Sequence, residues 1–160
     1  MKFFSNLHII KLILISSIFF LDRISKVYVL NFFENTQLQE LIISNFLSIY
    51  LIWNEGIAFG LLSFDEKNYY NLLTFIIISV TLIIFYFIVK SYGLQKYGFM
   101  MIFGGSLGNI FDRLYYSSVP DFIDFHINNF HWFIFNVADI FITLGLFLLI
   151  YADFFAKKYD

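Results

Sequence analysis

The chain has 160 residues, 60% of them apolar and 14% charged, with a formal net charge of -2, one proline and no cysteine. A soluble domain is nearer half apolar and a quarter charged, so this composition indicates an integral membrane protein. The acidic balance leaves no basic face for nucleic-acid phosphates. Without cysteine there are no disulfides, no thiolate metal sites and no thiol nucleophile. The three histidines, His8, His126 and His131, read as scattered and form no metal-binding cluster.

In chain order, Lys2 followed by the apolar run Leu12–Leu21 has the look of a secretory leader. No small-residue cleavage site follows it, and apolar residues resume in VYVLNFF, so the segment is read as an uncleaved first span. A helix crossing the bilayer core needs about 20 residues, and four segments qualify. They are roughly Ile10–Leu30, Tyr69–Val89, Tyr97–Tyr116 and Trp132–Ala152. The predicted fold is mostly α, a single membrane-embedded domain over residues 1–160. Between the first two spans, about residues 40–64 form an outer β-rich segment. There FLSIYLIWNEGIAFGLLSF predicts short strands with turns at Gly56 and Gly60. Asp65 and Glu66 suit the start of the second span. Ser117 to about His131 is read as an outer loop.

Lysines set the orientation. Lys2, Lys11, Lys90, Lys96, Lys157 and Lys158 fall on one side and Lys67 on the other. Both termini are therefore expected in the cytoplasm.

Carboxylates inside lipid are costly and usually mark function. At about 1.5 Å per residue, Asp139 lies roughly 10 Å below the outer edge of the fourth span, with Asn136 one turn above. Asn109, Asp112 and Arg113 fall in the last turns of the third span, and Asp22 and Lys26 in the outer half of the first. The polar groups of three spans thus share one outer layer, which suggests a single site near the outer surface. Asp22 and Lys26 sit four apart and read as a structural ion pair. Gly104 and Gly108 allow close helix approach. Asp121 and Asp124, in VPDFIDF, are both loop carboxylates near that layer, and residue chemistry alone does not choose between them.

Five stretches follow in order along the chain, LDRISK, WNEGIAFG, GGSLGNIFDRL, VPDFIDF and FNVADIFITLG. Together they resemble the motifs of the bacterial lipoprotein signal peptidases, the signal peptidase II family. The resemblance implies an aspartic endopeptidase of the bacterial inner membrane with its active site near the extracytoplasmic face. Its substrates would be lipid-modified prolipoproteins, cut just before the diacylglyceryl-bearing cysteine. It also implies Asp121 and Asp139 as the catalytic pair. Asn54, Asn109, Arg113 and Asn136 would lie around substrate, and Asp22 and Lys26 would be structural. Neither a metal nor an organic cofactor is expected. Membrane phospholipid is an expected partner, and no obligate protein partner is evident. Arg23 departs from the family pattern, where a neutral residue is expected. The alternative from another class is a small ion- or proton-coupled carrier using Asp139 as its ion site; the off-centre polar layer and lack of an internal repeat argue against it.

Overall fold

The computed structural model describes residues 2–56, 67–128 and 130–156. The predicted turn at Gly60, the Asp65–Glu66 helix start and Lys157–Lys158 lie outside them. The described chain is mostly helical with a small antiparallel sheet. Helices α1 (Lys2–Thr36), α2 (Lys67–Lys90), α3 (Gly93–Tyr116) and α4 (Val137–Ala156) are joined by strands β1 (Leu41–Ser44), β2 (Leu47–Asn54), β3 (Val119–Ile127) and β4 (Phe130–His131).

α3 is the central helix and packs on α1, α2 and α4. Glycine makes two of those contacts possible. On one face, Cβ atoms added at Gly104 and Gly108 would meet Ile18 and the Asp22 carboxylate of α1. On another, a Cβ at Gly105 would sit 2.5 Å from the Ala138 carbonyl oxygen of α4. Gly98 and Gly145 face each other lower on the same seam, each close to the other's carbonyl. The predicted Gly104–Gly108 pair therefore serves α1, and a separate glycine set serves α4.

α1 is longer than the predicted span. At about 1.5 Å per residue it reaches roughly 50 Å, well beyond a hydrocarbon core of about 30 Å. Its far end carries Val29 and Phe33, which pack with Phe122 of β3 in a core completed by Ile49, Leu51 and Val137. That core seats the sheet on the helix ends.

The sheet order is β1-β2-β3-β4. Ser117–His131, read from sequence as a loop, is instead mostly the β3–β4 hairpin, with Asn128 of the turn at φ 53. Two closely spaced aspartates had masked the strand pattern. The β structure is thus drawn from both outer segments. β2 pairs with β3 as Ile49↔Ile123 and Ile52↔Asp121, with a bulge between. Past β4 the chain stays extended, and Phe135 exchanges backbone hydrogen bonds with Ile123 at 2.8 and 3.1 Å. The fourth helix begins only at Val137, five residues later than predicted from Trp132.

Among the described residues, 70–90 and 137–155 are helices long and apolar enough to cross a membrane. α1 has the length but carries Lys11, Asp22, Arg23 and Lys26, and α3 carries Lys96, Asp112 and Arg113. Outward-facing side chains of α2 are largely apolar and exposed, among them Leu72, Phe75, Leu82 and Val89.

Candidate active site

The shift in the start of α4 changes what Asp139 is. Asn136 is the N-cap and Asp139 the third helical residue. The Asn136 Oδ1 accepts from the Asp139 backbone N–H at 3.1 Å, and the Asp139 Oδ2 accepts from the Asn136 N–H at 3.1 Å. This is a reciprocal capping box. The carboxylate sits at the positive end of the helix dipole, within the first turn and not deep in the span. The next donor of that turn, the Ala138 N–H, bonds the Asp22 Oδ1 at 3.0 Å. Asn-x-x-Asp before an apolar run is a helix-start signal, so this feature was available in the sequence.

Asp121 approaches from the sheet. Its Oδ1 accepts from the Asn136 Nδ2 at 2.6 Å, and its Oδ2 accepts from the Asn54 Nδ2 at 2.9 Å. Asn54 is itself held in an Asx turn, its Oδ1 accepting from the Gly56 N–H at 2.9 Å. Burial pushes the Asp121 carboxyl up to about 7, with the neighbouring Asp139 charge acting in the same direction. Asp121 and Asp139 thus come together through Asn136, which contacts both.

Asp124 is not part of this group. Three residues along a strand reverse the side-chain direction, so Asp121 and Asp124 leave β3 on opposite faces. Asp124 is buried, contrary to the solvated loop position that ordinary Asp exposure suggests, and its Oδ2 accepts from the His131 Nδ1 at 2.8 Å. The His126 Nδ1 lies 3.5 Å from the same oxygen. The histidines predicted to be scattered are, for this pair, cross-strand partners that the hairpin brings together with Asp124.

A second polar group supports the first. The Lys26 Nζ donates to Asp22 Oδ2 at 2.9 Å, Asn109 Oδ1 at 2.9 Å and Asp112 Oδ2 at 2.6 Å. All three ammonium donors are engaged, and Lys26, Asp22 and Asp112 are fully buried. Arg23 also pairs with Asp112 and lies over the Phe111 ring at 4.7 Å. The expected Asp22–Lys26 pair is thus half of a neutral quartet. Asp112 is the member sequence reasoning left unassigned, and it explains the unusual Arg23. Asn109 links the quartet to the carboxylates. Its Oδ1 also accepts from the Asn136 Nδ2 at 3.2 Å, and its Nδ2 donates to the Asp139 Oδ1 at 2.9 Å.

Arg113 lies close by, donating to the Gly56 carbonyl, while its Nε and its other terminal nitrogen find no partner among the described residues. A cleft of about 660 Å³ opens over Asp121 between Trp53, Asn54 and Gly56 on one side and His131, Trp132 and Ile134 on the other. An apolar groove of about 450 Å³ runs down α4 from Trp132 and Phe135 past Asp139 to Leu144.

Two carboxylates from different elements thus lie beside adjoining depressions, Asp121 on the cleft and Asp139 on the groove. The sequence model of the family described as "Signal peptidase (SPase) II" matches residues 14–155. The chain belongs to the signal peptidase II family. It is 45% identical over 146 residues to a protein of Pelagibacter ubique named "Lipoprotein signal peptidase", covering 91% of this chain and 88% of the relative. A protein of the same name from Wigglesworthia glossinidia brevipalpis is 41% identical over 156 residues, 94% of each. Two solved structures described as bacterial membrane enzymes, obtained by the in meso method, share the fold. One superposes with a TM-score of 0.75 at 27% identity over 94% of this chain and 90% of that one. The other gives 0.71 at 28% identity over 89% and 90%. Membership of this peptidase family decides against the ion-coupled carrier.

Proposed function

We propose that this member of the signal peptidase II family removes the signal peptide from diacylglyceryl-modified prolipoproteins, cutting just before the lipid-modified cysteine, with Asp121 and Asp139 as its catalytic pair. The observation that carries the assignment is the shared contact with Asn136, which holds one carboxylate from the sheet, lining the cleft, and one from a helix start, lining the apolar groove. Neighbouring buried carboxylates do not both ionise easily, so one proton is held between them and titrates with the pair. The ionised member takes a proton from water as its oxygen attacks the scissile carbonyl carbon. The protonated member hydrogen-bonds the carbonyl oxygen. Collapse of the tetrahedral intermediate breaks the C–N bond, and the departing nitrogen takes a proton from the pair. The products are a signal peptide with a free carboxylate and a cysteine with a free α-amino group.

Asn54, Asn109 and Asn136 orient the two carboxylates in this reading, and they lie where substrate would meet them. Arg113, with donors unpartnered among the described residues, is suited to hold substrate carbonyl or ester oxygens. The apolar groove beside Asp139 suits a hydrophobic segment of substrate, peptide or acyl. Four helices cross the bacterial inner membrane in this proposal. The charges of α1 and α3 are tolerated because they pair inside the bundle. Both termini are cytoplasmic and the sheet lies outside, on the lysine asymmetry. Purified protein in detergent, incubated with a lipid-modified precursor, is expected to release the signal peptide. No release from that precursor, with the protein folded, overturns the proposal.

A further inference from the structure

The β3–β4 hairpin carries a second cluster around Asp124, which leaves β3 on the face opposite Asp121, with His131 also reaching the wall of the cleft. We propose that Asp124, His126 and His131 form a binding site for one divalent transition cation of the zinc class, tying the two strands of the hairpin together.

The ligand atoms already converge. One atom from each of the three residues lies within 4.8 Å of the other two. The His131 Nδ1 is 2.8 Å and the His126 Nδ1 3.5 Å from the Asp124 Oδ2. Bonds of about 2.0–2.2 Å in a tetrahedron place ligand atoms about 3.3–3.6 Å apart; the His126–Asp124 distance already falls in that range, and the exposed His131 ring need only draw back by about half an ångström. The four residues between the histidines fall within the usual spacing for a zinc His pair. The rings are already stacked, with centroids 5.0 Å apart.

An independent observation points to a ligand. Asp124 is 4% exposed, yet its Oδ1 has no hydrogen-bond partner among the described residues. The His126 Nδ1, 3.5 Å from the Asp124 Oδ2, also makes no hydrogen bond among the described residues. Ser48, directly opposite Asp124 across the β2–β3 pair and 1% exposed, leaves its Oγ unpartnered as well. Unsatisfied buried polar groups are rare and need an explanation, and three meet here. A cation coordinated by the Asp124 Oδ2 and two neutral imidazoles would satisfy the His126 Nδ1 and draw the buried carboxylate's charge onto the metal. The side chain of His131 is 56% exposed, so the ion could enter and keep water in its fourth position. A hairpin held only by an Asp–His hydrogen bond is the competing account, and it leaves the His126 Nδ1 unsatisfied.

The test is made on the full chain in detergent, purified without a polyhistidine tag, and its readout does not depend on cleavage. Zinc chloride titrated against the parent is expected to give saturable binding of one equivalent and a raised Tm. Cobalt(II) in its place is expected to give the intense visible absorption of a four-coordinate site. Asp124→Asn and His126→Ala are expected to weaken zinc binding by at least roughly 10- to 100-fold, the range seen even for groups that only orient a ligand. His131→Ala, at an exposed side chain, provides the same test where the buried variants fold poorly. Parent protein that binds zinc no more tightly than His131→Ala, or shows only weak octahedral cobalt absorption, overturns the site.

Discussion

Asn136 and Asp139 cap each other at the start of α4, each side chain accepting the other's backbone N–H at 3.1 Å. The arrangement answers why a carboxylate interrupts an apolar helix. Asp139 completes the first turn, where orphan N–H groups require acceptors, while its Oδ1 takes the Asn109 amide. The same Asn136 reaches the Asp121 carboxylate at 2.6 Å. One residue therefore fixes both the helix start and the separation of the two carboxylates.

Asn136→Ala is expected to act on both. Loss of an N-cap costs about 1 kcal/mol, visible as a lower Tm. Loss of the bridge lets the carboxylates drift, and misplacement of about 1 Å reduces rate on the order of 100-fold. Signal-peptide release within a few fold of the parent would show that Asn136 does not position the pair.

Asp121→Asn and Asp139→Asn are each expected to abolish cleavage of a lipid-modified precursor while the protein still accumulates in membranes. Asp124→Asn, on the opposite face of β3, is expected to retain most activity. Precursor processing followed by gel shift separates the three. A dead Asp124 variant with active Asp121→Asn would reverse the assignment within the hairpin.

The pH dependence follows from Asp121. Its carboxyl is raised from the ordinary 3.8 to about 7, chiefly by burial. A carboxyl raised on folding favours the folded state most below its unfolded value, and that contribution is lost as pH rises through the folded value. The Tm difference between Asp121→Asn and the parent should therefore shift in favour of the variant from about pH 4 to about pH 8. Activity is expected to fall as pH climbs beyond about 7, when the pair loses its proton. Rates that stay level well above that point would show that the proton is not needed.

Much of this was legible in the sequence because costly residues are informative in lipid. The outer-layer grouping of Asp22, Lys26, Asn109, Arg113 and Asp139 followed from depth alone, and the structure brings these residues into one neighbourhood. The family motifs supplied Asp121. Hydropathy could not locate the true start of α4, because Trp132–Phe135 is as apolar as the helix it precedes and its extended form depends on pairing with Ile123. It also could not find the β3–β4 hairpin, whose His126–His131 proximity arises from strand pairing. Asp112 lay unassigned because its partners, Arg23 and Lys26, are on another helix.

That last point changes which member of the quartet matters most. With Asp112 as a second partner, removing Asp22 does not leave Lys26 unpaired. Asp22→Asn is therefore expected to be mild, since the amide oxygen can still accept from Ala138 and Lys26 keeps Asp112 and Asn109. Lys26→Met is the severe change. It strands the fully buried Asp22 and leaves Asp112 with Arg23 alone, and an uncompensated buried charge costs about 3–5 kcal/mol. It also releases the Asn109 oxygen, loosening the amide that holds Asp139. Folded yield in detergent and Tm should therefore fall far more for Lys26→Met than for Asp22→Asn. The double variant Lys26→Met with Asp22→Asn should recover part of the loss by removing the stranded charge. Equal losses for the two single variants, or no recovery in the double, would show that Asp22 depends on Lys26 no more than Lys26 depends on Asp22.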